Sequence, residues 1–275
     1  MKLCYQVATP DVAISPSVTA FQGCTSYTFG RLGELGYDGV ELMTLNPRLL
    51  NWDIIKREAE KNKLDIVMVC TGEIYGQEKL SFMDKNLEIR AYARSRVKEI
   101  IDFASYLGAY INIGRVRGQY CEELPKEVSY GYAIDAFKDI SEYAGKKGVK
   151  IALESVTIMQ TNFINTVEEA IKVVDDVDNE YFKIMMDIFH LNIEERDIIA
   201  TIKKYSKYNI HVHLADNNRR YPGHCGLDFE KILRTFKETG YSGAFCTEIF
   251  QIPDQETAAI NAIKHLNVIR DKINE

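Results

Sequence analysis

Four acid or imidazole residues, Glu154, Asp187, His213 and Glu248, each close a short apolar run. The runs are Lys150-Ile-Ala-Leu-Glu154, Phe182-Lys-Ile-Met-Met-Asp187, Asn209-Ile-His-Val-His213 and Ala244-Phe-Cys-Thr-Glu248. The four are 33, 26 and 35 residues apart, room each time for about one strand and one helix. Parallel strands need crossovers of this kind, so the chain builds βαβ units. Eight strand candidates can be placed, at about 2–7, 39–43, 64–70, 110–114, 150–154, 182–187, 209–214 and 244–248. All are rich in Ile, Val, Met and Leu, as strands buried on both faces should be. The 275 residues lie close to the roughly 250 of a (β/α)₈ TIM barrel. The expected fold is therefore α/β, a single TIM barrel domain over 1–275, since no Pro- or Ser-rich linker interrupts the chain.

In such a barrel the C-terminal strand ends converge on one mouth, where active sites lie. Three carboxylates and an imidazole meeting there would repel one another and lose hydration unless positive charge sat between them. The nearby strands offer no Lys or Arg at equivalent positions. One divalent metal ion at Glu154, Asp187, His213 and Glu248 is therefore expected. Mn²⁺ is the first choice, with Co²⁺, Mg²⁺ or Zn²⁺ as alternatives, because carboxylates with imidazole suit these ions.

Between the strands lie helical patterns. Val97, Ile100, Ile101 and Ala104 share a face before a stop at Gly108. Phe229, Ile232, Leu233 and Phe236 repeat this before Gly240, and Thr166 with Glu169 forms a capping box. The polar, aperiodic segments 72–90 and 115–131 read as loops over the mouth. His211 shares a face with His213 and reads as a hydrogen-bonded core residue. His190, in Asp187-Ile-Phe-His190, reads as a substrate contact. Arg219 and Arg220 on one rim, and Arg115 and Arg117 on another, offer guanidinium groups for an anionic or polyhydroxyl guest. The loop Tyr221-Pro-Gly-His-Cys-Gly-Leu-Asp-Phe229 could hold phosphate at a helix start.

The net charge of −6 gives no general attraction to nucleic acid or anionic membrane. The N-terminus lacks a signal peptide's apolar stretch, and no run approaches 18 apolar residues. The six cysteines are scattered without a CxxC pair and read as reduced thiols in a cytoplasmic protein. A homo-oligomer, dimer or tetramer, is expected.

Several segments together resemble the sugar isomerase/epimerase family with the xylose-isomerase-like barrel, which includes D-tagatose and D-psicose 3-epimerases. They are Gly36-Tyr-Asp-Gly-Val-Glu-Leu42, Ile151-Ala-Leu-Glu154, Thr161-Asn-Phe-Ile-Asn-Thr166, Asp187-Ile-Phe-His-Leu-Asn-Ile-Glu-Glu195, His211-Val-His213, Pro222-Gly-His-Cys-Gly-Leu-Asp-Phe229, Gly240-Tyr-Ser-Gly243 and Thr247-Glu248. The resemblance implies that Glu154, Asp187, His213 and Glu248 hold a single metal. It implies that Glu154 and Glu248 are also the acid/base pair, and that His190 and Arg219 hold substrate oxygens. Glu73, Gln160 and Arg117 are further candidates for substrate contact. Gln160 departs from the pattern, standing where such epimerases commonly have a glutamate.

The expected activity is metal-dependent epimerisation of a ketose or ketose phosphate, by proton abstraction alpha to the carbonyl through a metal-bound enediolate. The alternative is an aldose–ketose or hydroxypyruvate-type isomerase on the same site. An endonuclease IV-like reading is weaker, because that chemistry needs histidines from early strands and all five histidines lie at or after 190.

Overall fold

The eight apolar runs all form strands, and the strands close in sequence order into one parallel barrel. They are β1 (Lys2–Ala8), β2 (Gly39–Met43), β3 (Asp65–Cys70), β4 (Tyr110–Ile113), β5 (Ile151–Glu154), β6 (Phe182–Asp187), β7 (Asn209–Leu214) and β8 (Ala244–Thr247). The computed structural model describes residues 1–274. The crossovers carry α1 (Thr25–Leu35), α2 (Trp52–Lys61), α3 (Gly72–Glu78), α4 (Leu87–Leu107), α5 (Lys126–Lys147), α6 (Val167–Val177), α7 (Ile188–Glu194), α8 (Ile198–Tyr205), α9 (Phe229–Glu238) and α10 (Gln255–Asn274). No helix among the described residues is long and apolar enough to cross a membrane.

Strand alternation divides the core in two. Leu3, Tyr5, Val40, Leu42, Ile111, Leu153, Val212 and Phe245 join the large cluster that also holds the helix faces. Met68, Cys70, Ala152 and Met185 form a separate small cluster, and Cys4, Ala244 and Cys246 another. The helices end and begin as their caps dictate. Gly108 closes α4 at φ 71°, and Thr166 with Glu169 makes the full capping box of α6. The buried face of α9 is Phe229, Ile232, Leu233, Thr235 and Phe236.

Two segments expected to be loops are partly helical. Residues 72–78 form α3, and α4 begins at Leu87. Residues 115–117 make a 3₁₀ turn, and α5 begins at Lys126. Elements of three and seven residues are too short to display a helical period, so their sequences look aperiodic. Their expected place over the mouth holds: Gly72, Glu73, Tyr75 and Arg115 line the barrel-mouth cavity.

Arg117 corrects a site expectation. It is fully buried and does not line the barrel-mouth cavity. Its Nε donates to the carbonyl of Phe163 at 3.0 Å, Nη1 to those of Gly114 and Glu154 at 3.0 and 2.9 Å, and Nη2 to that of Ile164 at 3.0 Å. Burial lowers its pKa to about 10, which leaves it cationic at neutral pH. The side chain is a strut that ties the 161–164 segment to the ends of β4 and β5, not a substrate contact. Arg117→Met would take a donor from four interior carbonyls, of which those of Gly114 and Ile164 keep a backbone N–H, at a cost of about 3 kcal/mol. The midpoint of thermal unfolding should fall by roughly 6–12 °C. An unchanged midpoint in a calorimetric scan would show that Arg117 is not such a strut.

Candidate active site

Parallel register sets the level of the site. Asp187 on β6 pairs directly with His213 on β7, and His213 pairs with Cys246, two residues before Glu248. One donor atom each from Glu154, Asp187, His213 and Glu248 lies within 4.8 Å of every other. The four residues singled out by strand spacing therefore form one cluster. Asp187 divides its work between its oxygens. Oδ1 caps α7, accepting from the backbone N–H of Phe189 at 2.8 Å, and Oδ2 faces the cluster, 3.6 Å from His213 Nδ1. Gly114 makes room beside β5, since a Cβ there would sit 2.9 Å from Glu154 Oε2.

His213 is held from below by a residue that motif reading left without a role. Glu41 on β2 is wholly buried, and its Oε1 lies 2.8 Å from His213 Nε2. Its Oε2 lies 2.5 Å from Nε2 of His211, the core histidine expected from strand alternation. Gln6 Nε2 and Cys70 Sγ donate to Oε1 at 2.9 and 2.5 Å. Burial acts to raise the Glu41 pKa, but the two histidines outweigh it and hold the carboxyl well below the usual range. With Nε2 committed to Glu41, His213 presents Nδ1 to the cluster. That atom is buried and makes no hydrogen bond, although Glu248 Oε2 stands 2.9 Å away off the hydrogen-bonding direction. An orphaned imidazole nitrogen among three carboxylates, braced by a carboxylate behind it, is a donor set that could hold a divalent metal. The signal available in the sequence was a lone acid inside an otherwise apolar strand.

One basic residue does enter the cluster, from the loop after β7 and not from a strand. Arg219 Nη1 donates to Asp187 Oδ2 at 2.7 Å, and Nη2 pairs with Glu248. Burial alone would raise the Glu248 pKa, but Arg219 and His213 bring it below the ordinary value. Glu154 moves the other way, raised by burial and by its neighbours Glu248 and Asp187. A single guanidinium against two buried acids and the partly buried Glu248 leaves negative charge uncompensated, which a divalent ion would balance.

Glu154 and Glu248 of the cluster line a cavity of about 360 Å³. His190 lines it, with Thr157 N–H 3.4 Å from Nδ1, so Nε2 carries the proton. Burial lowers the His190 pKa to about 4, keeping the ring neutral. Gln160, Glu73 and Arg115 also line the cavity. Thr19, not anticipated, donates to Glu248 Oε1 at 3.0 Å. The 221–229 loop is not a phosphate cradle: Asp216 already accepts the backbone N–H groups of Gly223, Cys225 and Leu227 at 3.1, 2.8 and 3.2 Å.

A family model described as a xylose isomerase-like TIM barrel matches residues 29–269. The D-psicose 3-epimerase of Ruminiclostridium cellulolyticum is 29% identical over 131 residues, which span 48% of this chain and 45% of that protein. The probable ketose 3-epimerase of Synechocystis sp. is 26% identical over 245 residues, 86% of this chain and 83% of that one. A solved D-psicose 3-epimerase of Clostridium cellulolyticum H10, with D-tagatose, superposes with a TM-score of 0.83 at 20% identity and covers 98% of both chains. That superposition speaks for the fold.

EDTA-treated protein titrated with Mn²⁺ should bind one ion per chain. Glu41→Gln keeps the side chain's shape but not its charge, and should weaken that binding about 10–100-fold. Calorimetry that finds wild-type affinity in the variant would show that Glu41 does not brace the ligand.

Proposed function

The chain belongs to the xylose isomerase-like TIM barrel family, and on that premise we propose that it is a metal-dependent epimerase of a ketose sugar. One observation carries the reading. Glu154 and Glu248 belong to a single ligand cluster yet arrive from β5 and β8, strands separated by two others in the barrel. Two carboxylates that enter a cavity from different walls can address the two faces of a planar intermediate.

Glu154, Asp187, His213 and Glu248 would hold the ion. A bound divalent ion polarises the substrate carbonyl and stabilises the negative charge that develops when the neighbouring proton leaves. The protein supplies the rest. One of Glu154 and Glu248 takes the proton from the carbon next to the carbonyl, and the other returns a proton to the opposite face. The pair therefore starts with one carboxylate ionised and the other protonated, and exchanging these two states lets the reaction run in both directions. Neutral His190 donates from Nε2 to a substrate oxygen. Arg219, stacked with Cζ 4.8 Å from the Phe189 ring centroid, keeps Glu248 in place and has donors for a second oxygen. Gln160 stands at the cavity wall with an amide that can donate or accept toward a hydroxyl.

Incubation with ketoses in D₂O should place deuterium at the epimerised carbon. Products that form without solvent deuterium would favour shielded transfer between adjacent carbons, the isomerase alternative. Glu154→Gln and Glu248→Gln should each lower kcat by about 10²–10⁴-fold, the usual loss with a positioned proton acceptor. Near wild-type turnover in either variant would remove that residue from the pair.

A further inference from the structure

The segments after β3 and β4 carry to the same cavity an ion pair that the chemistry above does not use. Glu73 lies in the first turn of α3, and Arg115 opens the 3₁₀ turn after β4. Arg115 Nη2 donates to Glu73 Oε1 at 3.2 Å and approaches the Gly72 carbonyl at 3.4 Å. Gln77 Nε2 holds the other Glu73 oxygen at 2.7 Å. Gly76 leaves the space that the pair occupies, for a Cβ there would lie 2.9 Å from Arg115 Nη2 and 3.1 Å from Glu73 Oε2. Both charged side chains line the cavity. All hydrogen bonds of this guanidinium to the described residues run through Nη2, so Nε and Nη1 remain as donors for a guest.

Resting on the epimerase reading, we propose that the Glu73–Arg115 pair is the specificity element of the far subsite and restricts it to uncharged, hydroxyl-bearing sugars. Arg115 alone would invite a phosphate or carboxylate. Glu73 cancels that charge and places its own carboxylate where an anionic group would arrive, a repulsive element built against the wrong guest. A hydroxyl has no such difficulty, because it donates to Glu73 and accepts from Arg115 at once. The charges of the site agree. Glu73, Glu154, Asp187 and Glu248 stand against Arg115 and Arg219, and one divalent ion brings the sum to zero. Arg219, the other cation of the wall, is already engaged by Asp187 and Glu248. No unopposed cation among the described cavity residues waits for a phosphate.

The test compares binding of D-fructose and D-fructose 6-phosphate to the Mn²⁺-loaded protein by calorimetry. Wild type should favour the free sugar by about tenfold or more. Glu73→Gln should shift the ratio toward the phosphate by about tenfold, and the gain should vanish in Glu73→Gln/Arg115→Met, since it depends on the unopposed guanidinium. Arg115→Met alone should weaken D-fructose. The proposal is overturned if wild type prefers the phosphate, if Glu73→Gln leaves the ratio unchanged, or if neither guest binds. Discrimination in binding without epimerisation of any ketose would remove the reaction and keep the pair's role. Epimerisation with the phosphate preferred would do the reverse.

Discussion

Three carboxylates gathered at one barrel mouth, two buried and one partly so, are the constraint to which the rest of the site answers. Desolvation and mutual repulsion oppose their ionisation, and each neighbouring feature offsets part of that. Arg219 crosses from the β7 loop to Asp187 and Glu248. The N-terminus of α7 donates to Asp187 Oδ1. Thr19 donates to Glu248, and Gly114 clears the volume that Glu154 needs. What remains is negative charge around the free Nδ1 of His213.

Beneath it, a buried polar network stands where an ordinary barrel is filled with branched aliphatics. Glu41 sits between two histidines, with Gln6 and Cys70 completing its contacts. A buried carboxylate tolerates such a place only when fully satisfied, and a half-satisfied one would be worse than an apolar core. This network orients His213 by committing Nε2, and so connects packing deep in the barrel to the chemistry at its rim.

The barrel also divides labour around its mouth. Strands β5 to β8 supply the ligand cluster, while the segments after β3 and β4 supply Glu73, Tyr75 and Arg115 to the same cavity. Buried polar struts hold the connecting segments in place. Arg117 binds four carbonyls around the ends of β4 and β5, and Asp216 gathers the N–H groups of the 221–229 loop. Both use charge for architecture, which is why charge type alone was a poor guide to which basic or glycine-rich segments face the cavity.

Local pattern was enough for the eight strands, the capping box at Thr166, and the grouping of Glu154, Asp187, His213 and Glu248. Short apolar runs, strand–helix pitch and the rule that parallel strands end together are properties written along the chain. His211 as a core histidine followed from strand alternation. Three things depended on contacts between residues far apart in sequence. Glu41 reaches His211 and His213 across 170 and 172 positions. Arg117 is drawn inward by carbonyls of the 161–164 segment, and Arg115 is drawn to Glu73. An arginine's type is legible in the sequence, but its direction is not. A long flexible side chain goes wherever the folded backbone leaves carbonyls or a carboxylate unpaired, and only tertiary structure decides where those are.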